Sequence, residues 1–290
     1  MKRILIALFA LLLALMCCGA LAEETEVNTK VTHYLLLGQD GYSEEITEDA
    51  RTDTIVLVSL DKKYNRVIMT SILRDSQIKN LKGNYTKANV LFRNYGLDGM
   101  SECIENALGI EIKGAVLVNF EHVKPVIDAL GGVDIEITED EWIRIRKILQ
   151  YNDPNMPTGY GMVHMTGRIA LAYMRDRSSG MTGDFGRTER QRKVVSQLFN
   201  KCRKLSLMEL VGVYNQVSEG MLMNLSAIDI LGAIKDGYTL IANDADFEEY
   251  RIPQDGTFSY EYLNGSSTLN IRWNTNKTRF HEMLNTPPAQ

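Results

Sequence analysis

The chain has 290 residues, 44% of them hydrophobic and 24% charged, with a formal net charge of -5 at pH 7. This is ordinary globular material, long enough to bury a large core and unlike a disordered chain. The acidic balance, with a pI near 5.5, argues against nucleic acid as a partner, because nonspecific binding to phosphates needs a basic domain or stripe. Local clusters of arginine therefore read as sites.

Met1-Lys2-Arg3 precedes an uncharged run from Ile4 to Ala22 that ends Ala20-Leu21-Ala22. A basic start, an apolar centre and a small-residue ending predict a secretory signal over 1–22, cleaved after Ala22. The run is also close to the roughly 20 residues that cross a bilayer, so an uncleaved membrane anchor is the competing reading. Either one predicts an extracytoplasmic chain, secreted or attached to the outer face of the membrane. Residues 23–32 read as a polar linker and 33–285 as a single domain.

Tyr34 to Leu37 predicts a buried strand that delivers the loop Gly38-Gln39-Asp40. Thr54 to Leu60 and Arg66 to Ile72 predict a hairpin around Asp61 to Asn65. A helix is predicted over Asp98 to Leu108 with a stop at Gly109, then a strand over Ala115 to Val118. Next come a helix from Phe120 to Leu130, ended by Gly131-Gly132, and an alternating strand over Val133 to Ile137. Tyr151 to Val163, rich in Pro, Gly, Asn and Tyr, predicts a loop. A long helix is expected from Asp184 to Leu205, and another from a capping-box-like Ser226 to Asp229 through Ile241. Tyr250 to Pro253 and Leu269 to Trp273 predict short strands. The interleaving predicts an α/β (α+β) fold, a central mixed β-sheet flanked by helices. Cys103 and Cys202 are expected either as one disulfide or as two buried thiols.

Two aspartates stand at strand edges, Asp40 after the first apolar run and Asp53 within Arg51-Thr52-Asp53-Thr54. Carboxylates delivered to one rim suit Mg²⁺, whose octahedron phosphate oxygens and water complete, although each also suits a simple turn cap. Arg74-Asp75 follows a third strand exit. Arg175 and Arg177, two apart, share a side if the chain there is extended. Arg187, Arg190 and Gln191 share a helix face. Cations are disfavoured in the first turns of a helix unless an anion lies among them, and arginine's planar fork holds phosphate bidentately, so the cluster reads as a pyrophosphate clamp. For Arg192, Lys193, Lys201, Arg203 and Lys204 a solvated basic face suffices.

LLGQD (36–40), RTDT (51–54), SILRD (71–75), the stretch 105–137, ALAYMRDR (170–177) and GDFGRTERQR (183–192), in this order and spacing, resemble the LytR-CpsA-Psr family. The resemblance implies a central sheet flanked by helices and an apolar pocket for a polyprenyl chain. It also implies an activity: Mg²⁺-assisted transfer of a glycopolymer (teichoic acid, capsule or another wall polysaccharide) from an undecaprenyl-pyrophosphate carrier to peptidoglycan at the membrane surface. Carried over by position, Asp40 and Asp53 match the magnesium ligands. Arg74, Arg175, Arg177, Arg187, Arg190 and Gln191 match the pyrophosphate-binding residues. Asp53 or Asp75 is expected to orient or deprotonate the attacking hydroxyl. Leu73 stands where the family commonly has proline. A hydrolase acting on the same pyrophosphate and a non-catalytic lipid-binding module are the alternative functions.

Overall fold

The computed structural model describes residues 31–39, 46–47, 51–150, 153–176, 190, 193–194, 197–198, 200–202, 204–218, 221–263 and 265–288. The signal sequence or anchor, and all of the linker but Val31 and Thr32, lie outside the described residues. Among those described, no helix is long and apolar enough to cross a membrane.

The strands are β1 Val31–Gln39, β2 Thr52–Asp61, β3 Arg66–Ile72, β4 Gln77–Lys79, β5 Tyr85–Lys87, β6 Ile112–Val118, β7 Val133–Ile137, β8 Gly161–Met165, β9 Leu222–Met223, β10 Asp246–Ile252, β11 Phe258–Leu263 and β12 Ser266–Ile271. The α-helices are α1 Leu91–Leu108, α2 Val123–Ala129, α3 Glu139–Ile148, α4 Gly167–Arg175, α5 Leu207–Val217, α6 Ala227–Ala242 and α7 Trp273–Asn285. They gather into two compact units, one formed by Ala20–Val118 with Met221–Gln290 and the other by Asn119–Gly220.

The first unit is built on a six-stranded mixed sheet in the order β10-β3-β2-β1-β6-β9. β1, β2 and β3 are antiparallel neighbours, whereas β6 runs parallel to β1 and β10 parallel to β3. Leu35, Leu37, Ile55, Leu57, Ile68 and Ile72 pack with Met100, Cys103 and Ile104 of α1 and Phe280 of α7. Leu36, Val56, Val58 and Val116, on the alternate face, are fully buried too. A strand covered on both faces reads as an unbroken apolar run, which is how β1 reads.

The predicted hairpin forms, with Asp61 opposite Arg66 and Ile55 opposite Ile72. Helix α1 begins seven residues earlier than predicted, across a kink at Gly96, and stops where predicted, with Gly109 in the left-handed region at φ 67°. Helix α6 opens with the expected box, in which Ser226 and Asp229 cap each other's backbone N–H groups. Trp273 corrects the expectation of a strand, since β12 ends at Ile271 and Trp273 opens α7.

The second unit contains the hairpin β7–β8 and helices α2 to α5. Helix α3 starts at a capping box between Thr138 and Glu141. The predicted loop ends sooner than expected, because Gly161 to Val163 pair with Ile137 to Ile135 in β8. Cys103 and Cys202 are both buried free thiols, the second of the two expectations. Burial pushes Cys202 up to about 12 and, with help from the Glu102 charge, raises Cys103.

Candidate active site

The sheet unit presents a carboxylate and a guanidinium cation at one rim. Along β1 and β2 the register passes from Gly38 opposite Thr54 to Gln39 opposite Thr52, so Asp53 is the extra residue of a β-bulge. A bulge re-aims the side chain it carries, and that is why an acid within a buried strand reaches the rim. Arg74 follows β3 in a turn closed by the Ser76 N–H donating to the Leu73 carbonyl, 2.9 Å. Its backbone is fixed from two more sides: Leu73 N–H donates to Ile252 O at 2.9 Å and Asn89 N–H to Arg74 O at 3.1 Å. The first of these bonds needs an N–H, so proline at position 73 would forfeit it.

Arg74 Nη1 donates to Asp53 Oδ2 at 2.6 Å, and its Nε lies 3.5 Å from Asp75 Oδ2. Lys87, on β5, donates to Asp75 Oδ1 at 2.8 Å. The structure thus joins Asp53, Arg74 and Asp75 and adds Lys87. Nothing in the sequence pointed to Lys87, because the β4–β5 hairpin that brings it back lay unrecognised between two motifs. The Arg74 side chain stays 46% exposed, and its Nη2 has no partner among the described residues.

Asp40 directly follows Gln39 and lies outside the described residues, as do Arg177, Arg187 and Gln191. Gln39 itself is pinned, its Nε2 donating to Thr47 Oγ1 at 2.8 Å. Among the described residues no group of three or more His, Cys, Asp or Glu side chains could hold a metal ion. Mg²⁺ does not need such a cage. It commonly takes one or two carboxylates and fills the remaining positions with phosphate oxygens and water. Asp53 fits that donor set, because Oδ1 of its carboxylate engages no donor among the described residues.

In the second unit Arg175 and Arg190 are already engaged. Arg175 closes helix α4, so the extended chain on which Arg175 and Arg177 would share a side is corrected at Arg175. Apolar residues at Ile169, Ala170 and Tyr173 follow helical spacing and bury that face. Arg175 Nη2 lies 3.0 Å from Glu121 Oε1. Burial opposes ionisation of Glu121, but Lys124 and Arg175 outweigh it and hold its carboxyl below the usual range. Arg190 has helical backbone and is buried, with Nη2 donating to the Asp176 carbonyl at 2.8 Å and Nη1 to Glu141 Oε1 at 3.4 Å. Arg190 therefore anchors Asp176, the residue between Arg175 and Arg177. Glu121, Glu141 and Asp176 were missed from sequence, for acids far apart in the chain carry no pattern that reveals their partner.

A cleft of about 1090 Å³ opens at the other end of β1, among Val31, Asp61, Lys63, Glu111, Lys113 and Asp229.

The sequence model of the LytR_cpsA_psr family matches residues 20–284. The chain belongs to the LytR-CpsA-Psr family. The polyisoprenyl-teichoic acid–peptidoglycan teichoic acid transferase TagU of Bacillus anthracis is 29% identical over 254 residues, 85% of this chain and 78% of TagU. TagU of Bacillus mycoides is 30% identical over 254 residues, 85% of this chain and 77% of that one. The solved structure of TagT bound to LIIa-WTA superposes with a TM-score of 0.61 over 91% of this chain and 93% of that one, at 24% identity. That likeness confirms the LytR-CpsA-Psr architecture, a mixed sheet flanked by helices.

Proposed function

We propose that the protein is an extracytoplasmic phosphotransferase that moves a wall glycopolymer from an undecaprenyl-pyrophosphate carrier to peptidoglycan and releases undecaprenyl phosphate. Membership of the family and the TagU relatives support the transferase class. The observation that carries the site is the bulged Asp53 paired at 2.6 Å with an exposed Arg74.

In this reading a sugar hydroxyl of peptidoglycan attacks the polymer-side phosphorus of the pyrophosphate. The new O–P bond forms as the bond to the bridging oxygen breaks, and that oxygen leaves with the lipid phosphate. Such a transfer is driven by positioning and charge neutralisation, and it needs no covalent intermediate. Arg74 binds a phosphate oxygen through Nη2, which has no partner among the described residues, while Asp53 fixes the other side of its guanidinium. Asp75, held by Lys87, orients the hydroxyl and takes its proton. On the family resemblance, Arg175, Arg177, Arg187 and Gln191 are pyrophosphate-binding residues, and within the second unit Arg190 holds Asp176, the neighbour of Arg175. Asp53 and Asp40 would hold Mg²⁺, which when bound neutralises charge on the phosphate oxygens.

The test is turnover of a short polyprenyl-pyrophosphate-linked saccharide with Mg²⁺, with and without a peptidoglycan oligomer, for wild type, Arg74→Ala and Asp53→Ala. Acceptor-dependent product that disappears in both variants supports the transferase. Release of lipid phosphate without acceptor would instead identify a hydrolase, and tight binding without turnover a lipid-holding module.

A further inference from the structure

The hairpin β11–β12 carries an aromatic strip that the proposed chemistry does not use. β12 is the inner strand, with Leu269 and Ile271 buried. β11 is the outer strand, and period-2 alternation places Phe258, Tyr260 and Tyr262 on one of its faces, about 7 Å apart per step. Tyr260 is 78% and Tyr262 82% exposed, and the Phe258 and Tyr260 rings meet edge to face with centroids 5.8 Å apart. Large aromatic rings left in water along a regular face are uncommon unless something covers them.

The strip is tied to the candidate active site. The Leu269 N–H donates to the Asp75 carbonyl at 2.9 Å, Gln77 Nε2 donates to Thr268 Oγ1 at 2.7 Å, and Ser76 bridges to Leu269. The residue that follows Arg74 is therefore a backbone partner of the hairpin.

Charge narrows the occupant. Residues 257–271 include no lysine or arginine and one acid, Glu261, whose carboxylate accepts from Asn270 Nδ2 at 2.7 Å. The neighbouring stretch 79–87, by contrast, has three lysines and no acid. A polyanionic chain is drawn to the lysines and repelled by Glu261. An uncharged sugar chain suits β11, because a pyranose presents an apolar face of C–H groups to an aromatic ring and keeps its hydroxyls in water.

We infer that the Tyr260–Tyr262 face of β11 binds the sugar backbone of the acceptor glycan and feeds its hydroxyl toward Asp75. This rests on the transferase reading for the word acceptor, while glycan binding by the strip is measurable without it.

The experiment titrates the full chain with β-1,4-linked N-acetylglucosamine oligomers, uncharged strands with the backbone linkage of peptidoglycan glycan, with a polyol-phosphate polymer, and with phosphatidylglycerol vesicles. It compares wild type with the double variant Tyr260→Ala/Tyr262→Ala and with Tyr260→Trp/Tyr262→Trp. We expect at least a tenfold loss of glycan-strand affinity in the alanine variant and retention in the tryptophan variant. In the transfer assay, the alanine variant should raise the KM for acceptor at least tenfold and the KM for lipid-linked donor less than twofold. Unchanged glycan affinity, or a loss seen instead with the anionic polymer or the vesicles, overturns the inference. If the wild type transfers nothing yet binds glycan through these tyrosines, the transferase reading fails and the strip stands; if transfer proceeds and the tyrosines leave acceptor KM unmoved, the strip alone fails.

Discussion

The β2–β3 hairpin is closed at each end by an aspartate and an arginine, and the two ends behave as different materials. At the turn, Arg66 Nε donates to Asp61 Oδ2 at 2.8 Å, with both side chains 1% exposed. The rest of that guanidinium is consumed by Glu248 and by the carbonyls of Met283 and Leu284 at the end of α7. Asp61 also accepts the N–H groups of Lys63 and Tyr64 that shape the turn. At the other end, Arg74 meets Asp53 at 2.6 Å, stays 46% exposed, and gives Nη2 no partner among the described residues. The same pair of residue types, at the two ends of one hairpin, makes a structural clamp where every donor is satisfied internally and a candidate site where one donor has no partner among the described residues. Residue identity cannot separate the two roles; the tally of satisfied donors does.

Substituting each arginine tests that division. Arg74→Ala should lower transfer by roughly 10³-fold, the scale of losing an arginine from a phosphoryl-transfer site. It should change folding stability by less than about 1 kcal/mol, because its ion pair is half in water. Arg66→Met should do the reverse. Leaving Asp61 buried without its cation should cost about 3–5 kcal/mol in urea unfolding, with turnover per folded molecule kept within a few fold. Equal effects of the two variants on stability would collapse the distinction. A smaller effect is expected at Lys87→Ala, which leaves Asp75 only the longer contact to Arg74 Nε while Arg74 and Asp53 stay joined. Transfer should fall about tenfold through a lower kcat, as for a misplaced proton acceptor. Loss of donor binding instead would place Lys87 on the pyrophosphate.

The legible part of the molecule was the part governed by local pattern. β1, the β2–β3 hairpin, the Gly109 stop and the Ser226 box all follow from apolar runs, a φ only glycine adopts readily, and a capping side chain three residues from its partner. The motif residues were legible too, and the structure joins Asp53, Arg74 and Asp75 as adjacency of strand ends suggests. Long-range pairings were not. β10 lies beside β3 although about 180 residues separate them in sequence, and the turn after β3 depends on that pairing through Leu73 N–H. The buried state of Arg190 was equally hidden, since Glu141 and Asp176 reach it from distant segments. An arginine in a cluster thus reads as a phosphate ligand until its carboxylates are located.

Arg175 gives the mildest test, because its partner Glu121 is itself perturbed. Glu121 titrates below an unfolded glutamate, near 4.3, so its contribution to stability is present above that value and is lost as pH falls through the lower folded one. Arg175→Ala removes one of the two cations responsible and leaves Lys124. The difference in unfolding free energy between pH 7 and pH 3 should therefore shrink but not vanish, and the Glu121 carboxyl should titrate higher when followed by NMR. An unchanged Glu121 titration would mean that Lys124 alone holds the acid down. Arg175 would then owe its place at the end of α4 to contacts other than the one with Glu121.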